Sequence, residues 1–432
     1  MSEGELKDAW IRTRAARSES LLAEALQAVF SEHRPADQFL GRTFRTDRRI
    51  GGRDRRLYSD LIFAVFRWYG PLHKYSSDPA FLLAGAAAAE KIDLPETAVF
   101  LKRAGLEDPC HAEIFAPETP VARLDAFLRR CGFPAETTLR DCLPEWAFSH
   151  LDFEAEEAFL ARMQTRPPLW LRVQHHDEKE VARSLHSCGI EVQFHPRLRT
   201  ALAVPGAKVN LPELEIYRRG RIEVQDLSSQ CIGIVCAPEP GQCWWDACAG
   251  GGGKTLLLAS QMNGQGAVIA SDIRSGKFDE LKQRARRAGF CNIRTKEWDG
   301  GTRLPVPDNS CDGVLIDAPC SSSGRWRRNP ESRWVLTEER VNELSALQKQ
   351  LLWSAAKAVK PGGVLVYATC SLFRDENRLN AEHFLAGHPE FTLEEFPNPL
   401  TGEPAPGFLQ ILVQDGDCDA SFIARFRKKG QS

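Results

Sequence analysis

An α/β fold built on a parallel, doubly wound sheet follows from three features of the sequence. From residue 223 onward short apolar runs alternate with amphipathic stretches, the spacing at which right-handed crossovers lay strands side by side. A glycine-rich turn, "DACAGGGGKT", separates the first of these runs from its helix, as happens where a sheet receives a ligand at its carboxyl edge. Two later runs, "DGVLIDAP" and "GGVLVYAT", stop directly before Cys320 and Cys370. Reactive side chains are therefore expected at that same edge.

The 432 residues leave room for two or three domains. Residues 1–145 read as an all-α domain. "SLLAEALQAVF" puts Leu21, Leu22, Ala25, Leu26 and Val29 on one face, and "LYSDLIFAVFRWYG" does so with Leu57, Leu61, Ile62, Val65 and Phe66. The connecting "GRTFRTDRRIGGRDRR" carries Arg42, Arg45, Arg48, Arg49, Arg53, Arg55 and Arg56. It is either a solvated, ion-paired loop or a patch whose guanidinium forks meet phosphate oxygens. Residues 146–222 read as a small α+β subdomain: strand "PPLWLRVQ", helix "EKEVARSLHSCG", then strands "IEVQFHP" and "RTALAVPG". The pair His175-His176 is read there as a polar strand end.

Residues 223–432 hold the large sheet. Its strands are "CWWDACA", "AVIASDI", "RTKEWD", "DGVLIDAP" and "GGVLVYAT", with helices such as "KTLLLASQM" and "ELSALQKQLLWSAAKAVK" between them. The closing "FTLEEF" and "ASFIARFRK" read as a late antiparallel addition. A net charge of −2 gives no global sign of a polyanion partner, so any nucleic-acid surface must be local. "MSEGELKDAW" lacks the layout of a signal peptide, and no apolar run approaches a membrane span. The thirteen cysteines are odd in number and scattered, which suits reduced thiols in the cytoplasm. Cys231, Cys236, Cys243 and Cys248 form two C-x4-C pairs. Periodicity points them in different directions with no histidine nearby, so no metal site is expected.

Chemistry concentrates at the carboxyl ends of the large sheet. "GGKT" resembles a phosphate-binding loop, but its template needs glycine where this chain has Cys248. The dinucleotide spacing is not met either, which leaves S-adenosylmethionine as the remaining common occupant. Asp272 ends the next strand about twenty residues on, where a carboxylate accepts ribose hydroxyls; a helix cap is the plainer alternative. Asp299, ending "EWD", is placed to bracket an adenine edge, or else forms an Asp-Gly turn. Pro319, with no N–H, forces the chain out of the sheet beside Asp317 and Cys320.

"DAPCS" at 317–321 together with "ATCS" at 368–371 resembles the RsmB/Nop/Sun group of RNA 5-methylcytosine methyltransferases. "EVQDLSSQ", "CAGGGGKT", "ENRLN" and "SFIARFRK" fit the same group in order and spacing. The helical third is similar to the NusB-like RNA-binding domain of the bacterial small-subunit rRNA methyltransferase B type. "GGRDRRLYSDLIFAVFRWYG" matches its Arg-Asp-Arg helix start. Two departures stand out: the family loop usually has Ala-Pro at Gly250-Gly251, and its closing motif Gly-Phe-Phe where this chain has Ala420-Ser421-Phe422. The extra glycines are expected to make the loop more flexible and to lower cofactor affinity.

The resemblance implies a Rossmann-like class I methyltransferase sheet and a cofactor, S-adenosyl-L-methionine. Cys248, Ala249, Gly250, Gly251, Gly252, Gly253, Lys254, Asp272, Asp299 and Asp317 would hold it. Cys370 would be the nucleophile and Cys320 would assist release, while Lys254 pairs with an active-site carboxylate. Cytosine carbon 5 is a poor nucleophile until a thiolate adds to carbon 6; a carboxyl group at nitrogen 3 offsets the resulting charge, and Asp317 is the candidate. "GRWRRNPESRW" offers Arg325, Arg327 and Arg328 to phosphate and Trp326 for stacking. The substrate expected is rRNA and the protein a monomer. A tRNA-directed enzyme and a non-catalytic RNA-binding assembly factor remain as alternatives.

Overall fold

The structure, a computed structural model, describes residues 3–106, 110–174, 177–206 and 209–430. His175-His176 lie outside the described residues. Its chain divides into two compact units.

The first unit comprises residues 1–149, 154–165 and 326–336. Its main helices are Glu3–Phe30, Ala36–Thr46, Gly52–Arg67, Pro79–Glu90, Pro95–Arg103 and Pro120–Arg130. Their starts follow local chemistry. Asp78 and Thr119 each accept a backbone N–H of the first turn and precede a proline at its opening, which satisfies donors a helix leaves orphaned. Leu21, Leu22, Ala25 and Val29 meet Leu57, Leu61, Ile62, Val65 and Phe66 in one core, with Leu26 at its margin. Arg49 pairs with Asp47 at 2.9 Å, and Arg55 Nε donates to Ile50 O at 2.9 Å. Arg42, Arg45, Arg48, Arg53 and Arg56 are exposed.

The segment Trp326–Leu336 belongs to this unit, although it lies far along the chain. Trp326 is 1% exposed and Arg327 also 1%. Arg327 donates to Thr165 O and Thr165 Oγ1, at 3.2 and 2.9 Å. Arg333 donates to Cys142 O at 2.9 Å and Trp326 O at 2.8 Å. Trp334 Nε1 donates to Phe66 O at 2.7 Å. The expectation that Trp326 stacks on a base and Arg327 meets phosphate is therefore corrected: both are interior packing residues, and Arg328 is half-buried.

The second unit holds residues 150–153, 166–325 and 337–432. Four strands form its smaller sheet: β1 (Leu169–Val173), β2 (Gln193–Phe194), β3 (Ala201–Val204) and β4 (Ile222–Val224). Their order is β2-β3-β1-β4 and all pairs are antiparallel. Only two residues of "IEVQFHP" pair, and β4 was not foreseen. One face of this sheet packs on Val181 and Leu185 of the helix Glu178–Ser187.

The larger sheet has β5 (Cys243–Asp246), β6 (Ala267–Asp272), β7 (Ile293–Glu297), β8 (Cys311–Asp317) and β9 (Val359–Thr369), all parallel. β10 (Phe391–Leu393), a two-residue pairing of β11 (Phe396–Pro397) with β12 (Pro404–Ala405), β13 (Phe408–Ile411) and β14 (Ser421–Lys428) follow. The order is β10-β14-β9-β8-β5-β6-β7, with β13 also on β14. The chain runs outward from β5 in both directions, so the doubly wound class read from the sequence is what the protein adopts, with the antiparallel closure at β14.

Central strands carry apolar residues on both faces because helices cover both. Trp244 and Leu315 fill one layer, Trp245 and Ile316 the other. Gly313 is required by this packing: a Cβ there would lie 2.2 Å from Trp244 Cζ2. Gly313→Ala is expected to cost about 1–3 kcal/mol through overpacking, read as a lower urea midpoint at unchanged slope. Among the described residues, no helix is long and apolar enough to cross a membrane.

Candidate active site

At the carboxyl ends of β5, β6, β8 and β9 lies a cleft of about 720 Å³, wholly within the second unit. The glycine loop forms its floor. Gly250 takes a φ of 52°, a left-handed conformation glycine adopts without penalty, and its N–H donates to Asp272 Oδ2 at 2.9 Å. Cys248, Ala249, Gly250, Gly251, Gly253 and Lys254 line the cleft. Gly252 does not. It has a φ of 83°, its N–H donates to Ala249 O, and a Cβ on it would strike Leu281 at 2.6 Å. Gly252 thus has a packing reason at the helix start.

Asp272 is 6% exposed at the end of β6. Its Oδ1 accepts the Arg274 N–H at 2.8 Å and Arg274 Nε at 3.1 Å. Burial opposes its ionisation, but the Arg274 guanidinium and the two backbone N–H groups outweigh burial and hold the carboxyl below its usual range. Asp299 also reaches the cleft, and its Oδ1 accepts the Gly301 N–H at 2.8 Å. The turn and the cleft position thus coexist there.

Lys254 Nζ lies 2.5 Å from Asp317 Oδ2. Burial works against the ammonium, yet the Asp317 charge and hydrogen bond overcome it and raise Lys254. Beside them the two cysteines face each other, Cys320 Sγ to Cys370 Sγ at 3.2 Å. The register explains the approach: β8 and β9 are parallel neighbours with Asp317 opposite Ala368, so the chain leaves both strands at one level. The Cys370 N–H donates to Cys320 Sγ at 3.3 Å, and Ser322 Oγ lies 3.5 Å from Cys370 Sγ.

The pair is electrostatically unequal. The hydrogen bond from Cys320 lowers Cys370, against burial, with Ser322 and Arg325 assisting. Cys320 is raised, first by that same hydrogen bond and then by burial. Burial also raises Cys248, the third thiol of the cleft. Cys370 is therefore the cleft thiol favoured as thiolate. Arg325, 47% exposed, lines the cleft 3.9 Å from Asp419.

Several functional residues escaped sequence reasoning. Asp246 is fully buried at the end of β5 and lines the cleft. Burial pushes it up to about 7. Thr255 Oγ1 donates to its Oδ2 at 2.6 Å, while Oδ1 is buried without a hydrogen-bond partner. Its place at a strand end ahead of the glycines was the available signal. "ENRLN" matters more than its short run suggests. Asn377 Nδ2 donates to Ser371 O at 2.9 Å, and Thr369 Oγ1 lies 2.5 Å from Asn377 Oδ1. In "EVQDLSSQ" Asp226 Oδ1 accepts the N–H groups of Ser228 and Asp419, while Ser229 lines the cleft. Among the described residues no cluster of His, Cys, Asp or Glu could hold a metal ion.

Residues 233–427 match the family model described as 16S rRNA methyltransferase RsmB/F. The ribosomal RNA small subunit methyltransferase B of Yersinia pestis bv. Antiqua (strain Angola) is 34% identical over 303 residues, 66% of this chain and 66% of its own. The probable ribosomal RNA small subunit methyltransferase B of Synechocystis sp. is 33% identical over 298 residues, again 66% of each. The match thus spans just under two thirds of the length of these curated relatives. The crystal structure of PH0851 superposes with a TM-score of 0.75 at 25% identity, covering 96% of this chain and 98% of that one.

Proposed function

The chain belongs to the RsmB/Nop/Sun family, and on that premise we propose that it is an S-adenosylmethionine-dependent RNA cytosine-5 methyltransferase. Its substrate is the RNA of the small ribosomal subunit, in keeping with the names of its relatives. The observation that carries this reading is the thiol pair: one cysteine favoured as thiolate, a second within 3.2 Å, at the ends of adjacent strands over a glycine loop. A binding module has no use for such a pair.

The cleft fits the cofactor. Asp246 Oδ1, buried and unpartnered, suits an ammonium donor, and Asp272 suits ribose hydroxyls, with the loop backbone between them. When bound, S-adenosylmethionine supplies an electrophilic methyl group. Cys370 adds to carbon 6 of a cytosine taken out of its stack. As the sulfur adds, a proton passes from the Lys254–Asp317 pair to nitrogen 3, so that no net charge builds on the ring, and it returns to the pair when the adduct collapses. After methylation the carbon 5 proton passes to a water molecule, its electron pair restores the ring double bond, and the bond from carbon 6 to Cys370 Sγ breaks, with the sulfur leaving as thiolate. Cys320, in contact with that sulfur, assists this release. Of the residues of "GRWRRNPESRW" offered to RNA phosphate, Arg325 lines the cleft and Arg328 is half-buried. The odd number and scatter of the cysteines suit action in the cytoplasm, where thiols stay reduced, and the protein is taken to act as a monomer.

The test is methyl transfer from labelled S-adenosylmethionine to unmodified small-subunit rRNA, with the target located by bisulfite sequencing. Transfer to tRNA alone would replace the rRNA reading, and transfer to neither would end it. Asp272→Ala is expected to weaken cofactor binding about 10- to 100-fold, the worth of ~1.5–3 kcal/mol for hydrogen bonds to a charged group. Calorimetry reads this directly, and unchanged affinity reduces Asp272 to a cap for the Arg274 turn.

A further inference from the structure

Behind the two cysteines sits a carboxylate that the reaction just described does not use. Glu376 is fully buried. Its Oε1 accepts the Ser321 N–H at 2.8 Å and Gln348 Nε2 at 2.9 Å, and its Oε2 accepts Ser371 Oγ at 2.5 Å. Ser321 and Ser371 are the residues immediately following Cys320 and Cys370. Gln348 Nε2 also donates to Pro319 O at 2.9 Å, on the other side of Cys320. The Gln348 carbonyl is in turn held by Asn380 Nδ2 at 2.9 Å and Tyr367 O–H at 3.1 Å. Ser321, Ser323 and Ser371 join hydroxyls behind the thiols, at 3.1 to 3.3 Å.

A buried carboxylate is costly unless its oxygens are filled, and these accept three donors, two of them from the turns that aim the thiols. We propose that Glu376 is the positioning residue of the thiol pair: it clamps the turns after Cys320 and Cys370 into one frame, and its charge keeps the proton on Cys320. Cys320 then donates to Cys370, which carries the negative charge. Most groups facing the pair favour this division, while Asp317 and the Cys370 N–H, which donates to Cys320 Sγ, act against it. Glu376 raises Cys320, while Arg325 lowers Cys370 and Asp317 opposes it. Lys254, from the glycine-loop helix, is bound to Asp317, and Tyr367 of β9, raised chiefly by burial, stays a neutral donor to the network.

The use of this device in catalysis rests on the methyltransferase reading, but its existence can be tested without RNA or cofactor. In the full-length protein, alkylation of Cys320 and Cys370 by iodoacetamide is followed against pH by peptide mass spectrometry. In the wild type Cys370 is expected to react at lower pH than Cys320; the reverse order, or coincident profiles, overturns the proposal without any variant. Glu376→Gln keeps the shape and removes the charge. Its Cys320 profile is expected to move to lower pH, with cofactor affinity unchanged and kcat for RNA methylation reduced at least about tenfold at similar KM. Wild-type profiles in a folded Glu376→Gln protein would falsify the charge role. Shifted thiol profiles in a protein that methylates no RNA would retain the clamp and remove the methyltransferase reading instead.

Discussion

Cys370→Ala is expected to lose RNA methylation by more than about ten-thousand-fold, the scale at which an enzyme loses its nucleophile. Nothing else in the cleft can take its place. Cys248 is raised by burial, and Cys320, which loses its partner in this variant, is still raised by burial and by the Glu376 charge. Without a thiolate at carbon 6, carbon 5 has no electron density to offer, however well the cofactor is held. Cofactor affinity is expected to stay within about twofold, because the Asp272 and glycine-loop contacts are untouched. Single-turnover assays with labelled methyl donor measure the first quantity and calorimetry the second. Retained turnover would transfer the nucleophile role to another residue.

Cys320→Ala should do the opposite to the adduct. With Cys370 intact, addition and methylation proceed, while release loses its assisting group. A protein–RNA species that survives denaturation should then accumulate toward one equivalent, visible as a shifted band in a denaturing gel. The pH dependence has a defined sign. The Cys320 hydrogen bond is the largest influence lowering Cys370. Its removal must therefore raise Cys370, so adduct formation in the variant should need higher pH than in the wild type. A variant that turns over freely would count against the release role.

These outcomes depend on parts of the protein that differed in how plainly the sequence announced them. Strands β5, β6, β8 and β9 were legible because buried parallel strands are continuous apolar runs, and Asp246, Asp272, Asp317 and Cys370 lie at or just past their ends; β7, at the sheet edge, is polar and largely exposed. The glycine loop and both cysteine turns were legible for the same reason. Glu376 was not, because its meaning lies in reaching Ser321, fifty-five positions away. Only the parallel register of β8 and β9 brings those turns together. Trp326 and Arg327 misled because an Arg- and Trp-rich loop beside a reactive cysteine looks like a nucleic-acid surface. Burial at 1% gives these side chains to a core instead.

The segment Trp326–Leu336 has a consequence for how the protein is made. Residues 1–149 leave the ribosome first, yet their unit lacks the Arg333 donor to Cys142 O and the Trp334 donor to Phe66 O. Those arrive only after the glycine loop and the first cysteine turn have been synthesised. At about 5–20 residues per second, the helical unit waits on the order of ten to forty seconds for its last pieces. During that interval it lacks the segment that meets those two carbonyls, and it is completed only when the chain leaves the second unit after Arg325 and returns at Thr337. Nascent chains arrested at residue 300 should therefore be cut by protease in the helical unit, and chains arrested beyond residue 370 should resist.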